Sequence, residues 1–133
     1  SVSSHEISLE DKEVEEIINI RMKKMSNINI LSQKIYKELN SENFESLKEN
    51  TLELKHSADD FQMLFPPNSQ GKNAKNLIWD DKILFNEYNK NFLFDIDSML
   101  ISIDDKNIKD LKENFNNMAS NCSACHKKFK NKK

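Results

Sequence analysis

Hydrophobic side chains recur along this chain at alternating steps of three and four residues, the spacing that gathers them on one face of a helix. The first stripe runs Val14, Ile18, Arg21, Met25, Ile28, Ser32, Ile35 and Leu39. The second runs Phe44, Leu47, Thr51, Leu54, Ala58, Phe61 and Phe65. A third, less regular, takes in Ile78, Phe85, Tyr88 or Asn89, Phe92, Ile96, Met99 and Ile103. The fourth is Ile108, Leu111, Phe115, Met118, Cys122, Cys125 and Phe129. Ser8, with Asp11 three residues on, has the form of a capping box that opens the first helix.

Four amphipathic helices with a repeat near 3.5 predict a left-handed bundle. The joints between the first and second stripes, and between the third and fourth, are short, which makes those neighbours antiparallel. The joint between the second and third is longer and contains Pro66-Pro67-Asn68-Ser69-Gln70-Gly71. The expected fold is all-α: an antiparallel up-down-up-down four-helix bundle.

Composition narrows this further. The chain has 133 residues, enough for one domain over 1–133, with a short flexible start over about 1–7. Its only glycine and both prolines lie between Pro66 and Gly71. Little remains elsewhere to end strands or build hairpins. Charged residues at 32% and hydrophobic ones at 37% suit helices with wet outer faces. No apolar run is long enough to span a bilayer. A net charge of -2 gives no support to a nucleic-acid partner.

The charge is unevenly placed. Glu6, Glu10, Asp11, Glu13, Glu15 and Glu16 face only Lys12 near the start, and Lys127, Lys128, Lys130, Lys132 and Lys133 end the chain with no acid among them. Acids at a helix N-terminus and lysines at a C-terminus complement helix dipoles. The sharper reading is a basic docking face for an acidic redox partner.

Cys122-Ser123-Ala124-Cys125-His126 is a C-x-x-C-H motif, the pattern of covalent haem c attachment. Cysteines three apart project from one face of a helix and can form thioethers along one porphyrin edge. The histidine that follows comes under the ring and reaches the iron. A redox dithiol would prefer a helix N-terminus, where the dipole lowers the thiol pKa, and these cysteines lie at the other end. A zinc site needs more ligands, and only His5 and His56 remain as further histidines. A disulfide between residues three apart in a helix is strained. Because haem c is attached outside the bacterial cytoplasm, the expected compartment is the periplasm. A start at Ser1 fits removal of a signal peptide.

The motif near the C-terminus, on the last of four helices, resembles the class II cytochromes c, the cytochrome c′ family and its low-spin relatives. The resemblance covers nearly the whole chain. Arg21 and Met25 match the pair that the family places on helix one. Leu64-Phe65-Pro66, Ala74 and Ile78-Trp79 match the segment that leads into its third helix. Lys127-Lys128-Phe129-Lys130 matches the run after the haem motif, with one departure: lysine stands at position 130 where the family usually has arginine. The resemblance also implies a homodimer formed through the first two helices.

Arg21 is the only arginine among twenty basic residues, and it sits on an apolar stripe. A charge there needs a partner, and a haem propionate suits its planar fork. Met25 lies one turn further on and should then sit over the iron. If its thioether binds, the haem is six-coordinate and low-spin, with His126/Met25 ligation suited to electron transfer. If Met25 only fills the pocket, the iron is five-coordinate and open to nitric oxide or carbon monoxide, as in cytochrome c′. The first is the favoured reading and the second its alternative. A third is a subunit that docks in a larger redox complex. Met22 is the nearest rival to Met25; Met118 reads as core, with its place one turn before Cys122 also within reach of the haem, and Phe129 reads as core or haem-packing. Met63 and Met99 read as core, as do Trp79, Phe85 and Phe92, the aromatics also as haem-packing residues. No nucleophile–base pair or phosphate loop is present, so a carrier rather than an enzyme is expected.

Overall fold

The computed structural model describes residues 13–131. The Ser8–Asp11 capping box, the flexible start, His5 and the last two lysines lie outside the described residues. Five helices follow in order: α1 (Val14–Glu38), α2 (Phe44–Gln62), α3 (Leu77–Asp80), α4 (Lys82–Asp104) and α5 (Ile108–Phe129). The four long ones form the bundle, with α1 on α2, α2 on α4 and α4 on α5 as its main packings.

Local chemistry sets the helix ends. Asn43 caps α2 by accepting from the Ser46 amide at 3.1 Å, and Asn107 caps α5 by accepting from the Asp110 amide at 3.1 Å. At the end of α4 the Lys106 amide donates to the Ile103 carbonyl and the Asn107 amide to the Ser102 carbonyl, with Lys106 at φ 54°. This Schellman turn reverses the chain in three residues and makes α4 and α5 antiparallel. The third stripe does not form one helix. It breaks at Asp81, whose backbone is extended (φ -134°, ψ 77°) and whose carboxylate accepts from the Leu84 amide. An aspartate that offers its side chain to the backbone favours a cap over a helix interior.

Most stripe positions point inward as their spacing requires, but the buried face of α1 is turned so that Ile17 and Leu31 are buried while Val14 is exposed. One core fills the end of the bundle away from the α2–α3 loop: Ile28, Leu31 and Ile35 of α1, Leu47 and Leu54 of α2, Ile96, Met99 and Ile103 of α4, and Leu111, Phe115 and Met118 of α5. A second, aromatic cluster lies at the loop end and joins Ala74, Ile78, Phe85 and Phe129 with Phe65, Trp79, Tyr88 and Cys125. Phe129 meets both Phe85 and Tyr88 edge to face at 5.1 Å, a preferred aromatic geometry. Met99 is buried, as expected; Met63 is not. It ends α2 at 44% exposure, because the chain turns away there toward Pro66.

The loop between α2 and α3 is held from inside. Arg21 donates to the Leu64 carbonyl at 3.0 Å, the Ser69 hydroxyl at 3.1 Å and the Ser69 carbonyl at 2.7 Å. Its guanidinium lies 4.5 Å from the centroid of the Phe65 ring, a cation–π distance. Gly71 closes the loop at φ 57°, and a Cβ there would come within 3.4 Å of Ile18. Both facts suit glycine.

Candidate functional site

The C-x-x-C-H segment occupies the last two turns of α5, and the α2–α3 loop grips the end of that helix. The Lys75 amide donates to the Phe129 carbonyl at 2.8 Å, the Asn131 amide to the Asn73 carbonyl at 2.7 Å, and Ala74 and Lys130 form an isolated antiparallel bridge. Helix ends leave carbonyls without partners, and this loop satisfies one of them. The loop that Arg21 pins is thus the loop that holds the motif in place.

Beside the motif a cleft opens, with an empty volume of about 440 Å³ including its mouth. Asn121, Cys122, Cys125 and His126 line it from α5. Met25, Ile28 and Asn29 line it from α1, Phe61 from α2, and Tyr88, Asn89 and Phe92 from α4. Apolar walls with a few converging polar groups are the usual form of a cofactor site. Residues about one hundred apart in sequence, Met25 and His126, are brought to one cavity.

The chemistry of the motif side chains is consistent. Neither cysteine is in a disulfide. Burial pushes the Cys122 thiol up to about 11, helped by the charges of Cys125 and Asp95, and burial pushes the Cys125 thiol up to about 11 as well. Such thiols stay protonated at neutral pH, the opposite of what a dithiol redox centre needs. Burial, with Lys130 nearby, lowers the pKa of His126. A neutral imidazole keeps a lone pair for a metal. Among the described residues no group of three His, Cys, Asp or Glu is placed to hold a bare metal ion, which argues against zinc. Two free thiols, one neutral imidazole and an apolar cleft are the donor set that a covalent haem requires, so the residues present fit that group.

Other expected site residues fall elsewhere. Met22 is 52% exposed and does not line the cleft, since it points off the α1 stripe. Met118 is 1% exposed inside the main core, one turn too deep to reach the cleft. Phe129 does not line it either; it backs Cys125 from the aromatic cluster. Arg21 is 6% exposed, and the partner it needs is found in the protein: Nη1 and Nη2 serve the loop carbonyls and the Ser69 hydroxyl. Arg21 thus anchors the loop through both of its terminal nitrogens. His56 is exposed on α2 and away from the cleft. Sequence reasoning missed Asn89 as a site residue and also Asn29, Phe61 and Asn121. The uncertain register between Tyr88 and Asn89 was the one signal that could have pointed to Asn89.

The comparisons agree with this geometry. The chain matches a cytochrome c prime from Alcaligenes xylosoxidans, a ferrous arginine-to-lysine variant with bound nitric oxide, at TM-score 0.86 and 21% identity, over 91% of this chain and 98% of that one. A leucine-to-valine mutant of the same protein in complex with nitric oxide matches at 0.85 and 20%, over 90% and 98%. A leucine-to-glycine variant with bound carbon monoxide matches at 0.85 and 20%, over the same shares. No match was found among curated proteins. A family model described as Cytochrome C′ matches residues 16–130. With that match over most of its length, the four-helix bundle beneath it and a thiol pair and imidazole on one cleft, the chain belongs to the cytochrome c′ family, whose members carry one covalent haem c.

Proposed function

We propose that this protein is a periplasmic, gas-binding monohaem cytochrome in which Cys122 and Cys125 carry the haem and His126 is its protein ligand. The observation that carries the reading is the cleft itself. Its α1 and α2 walls, Met25, Ile28, Asn29 and Phe61, offer no nitrogen base or carboxylate to compete with a small gas. Structural neighbours that hold nitric oxide and carbon monoxide support it. The bound haem supplies a redox-active iron with room for a diatomic ligand. The chain's residues keep water out, hold the imidazole neutral and limit the size of what enters. Met25 acts as a lid in this reading, and the protein is a binder or carrier rather than a catalyst.

One observation favours a second reading. Met25 shares the cleft with His126, so its thioether could complete a low-spin His126/Met25 centre for electron transfer, the reading that the sequence alone favoured. Spectra of the reduced protein with and without carbon monoxide separate the two. A high-spin spectrum that shifts on adding the gas supports gas binding. A low-spin spectrum that does not shift overturns it and leaves electron transfer.

A partner face accompanies either reading. The loop grip on α5 carries Lys72 and Lys75 beside Lys127, Lys128 and Lys130, which supports docking of an acidic redox protein. Salt-independent reduction by such a partner would remove this part of the proposal. Exposed Met22 and Ile30 on α1, with Leu52 and Met63 on α2, support pairing of two copies through these helices. Sedimentation of the holoprotein as a monomer would remove that part.

A further inference from the structure

Three carboxamides from the bundle reach the cleft, and only one of them is both buried and unpartnered. Asn29 is exposed. Asn121 donates its amide to the Asp95 carboxylate. Asn89 is 7% exposed, and its Nδ2 has no acceptor among the described residues. It sits on the buried face of α4, in register with Phe85, Phe92, Ile96 and Met99, where an apolar residue would pack without cost. A buried N–H with no acceptor destabilises a fold, and buried polar groups in native proteins are nearly always paired. The amide therefore has a donor to spare for an acceptor that enters the cleft.

We propose that Asn89 donates a hydrogen bond from Nδ2 to an acceptor oxygen held inside the cleft. This rests on the reading above that the cleft takes a haem. The chemistry sought is one oxygen acceptor, which has two sources: a carboxylate of the prosthetic group, or the far oxygen of a diatomic gas bound to it. In the first case Asn89 is a positioning residue that softens the field of a carboxylate. In the second it discriminates between gases, because a donor favours a ligand that carries more negative charge on its far atom.

The test uses the holoprotein as wild type and as Asn89→Leu, Asn89→Ala and Asn89→Gln. Leucine removes the donor while keeping the branched shape of the side chain. Alanine cannot overpack and stands in if the leucine variant fails to fold. Glutamine keeps an amide. Two quantities are measured: the C–O stretching frequency of the reduced carbon monoxide complex, and the midpoint potential. If the acceptor is the gas, the stretch rises in the leucine and alanine variants and returns toward wild type with glutamine, because a donor to the far oxygen weakens the C–O bond. If the acceptor is a carboxylate, the stretch stays and the potential falls, since the freed negative charge favours ferric iron. The expected fall is at least a threefold change in the reduction equilibrium, about 28 mV at 59 mV per decade. Leucine and alanine variants equal to wild type in both quantities would overturn the proposal. A wild-type protein that takes up no carbon monoxide would overturn the gas-binding reading alone, and the potential would still decide Asn89. A chain that matures without haem would overturn both.

Discussion

Arg21 reaches across from α1 and donates to the Ser69 carbonyl at 2.7 Å and to the Ser69 hydroxyl at 3.1 Å. Ser69 is itself fully buried and donates to the Pro66 carbonyl. A cation in the bundle thus organises the polar side of this loop, while Leu64 is buried and the Trp79 indole donates to the Phe65 and Pro66 carbonyls, and the loop in turn holds the end of α5.

This relationship predicts that Arg21→Met destabilises the protein although it adds an apolar side chain to an apolar stripe. Buried carbonyls would lose a charged donor, a loss of about 1.5–3 kcal/mol per bond at the upper end of the usual range. Arg21→Lys should also destabilise, because an ammonium cannot reproduce the planar fork that serves Leu64 and Ser69 together. Thermal unfolding of both variants measures this. An Arg21→Met protein as stable as wild type would show that the loop holds without it.

Covalent haem retention depends on the two thiols separately. Cys122→Ala or Cys125→Ala should leave one thioether and a shifted alkaline pyridine spectrum. The double variant should release its haem into acidified acetone. Haem that stays with the double variant would show that attachment lies elsewhere.

Met25 tests the lid. Met25→Ala should open the cleft and raise carbon monoxide affinity by on the order of tenfold, equivalent to about 1.4 kcal/mol, with a high-spin spectrum before and after. Conversion from low-spin to high-spin would instead establish Met25 as a ligand.

Asp95 makes stability depend on pH. Burial raises its pKa, while the hydrogen bond from Asn121 acts the other way. The folded protein thus holds the Asp95 proton more tightly than the unfolded chain does. The stability this contributes is present in full below the ordinary carboxylate pKa and is lost as pH rises through the folded one. Asp95→Asn keeps an acceptor for Asn121 and removes the charge. It should therefore match wild type at low pH and exceed it near neutrality in melting temperature. A gap that does not widen with pH would contradict this.

Leu54 is fully buried between the packed faces of α2 and the bundle. Leu54→Ala should cost about 2–5 kcal/mol by denaturant unfolding, and a cost below 1 kcal/mol would mean that the core repacks.

Period, composition and one five-residue motif determined most of this protein in advance. The alternation of threes and fours in the stripes of α1, α2 and α5 is a property of the sequence, and burial of Leu47, Leu54, Leu111 and Phe115 follows from it. The C-x-x-C-H segment is legible because thiols three apart on a helix share a face whatever surrounds them. The break at Asp81 is local as well, a side chain competing for a backbone amide three residues on, which a hydrophobic period does not record. Two things were decided only by the tertiary structure. The partner of Arg21 depends on where a loop some fifty residues away comes to rest. The choice between Tyr88 and Asn89 as the buried residue depends on the rotation of α4 against its neighbours. Periodicity reports which face is apolar; it does not report which polar group on that face has been left without a partner.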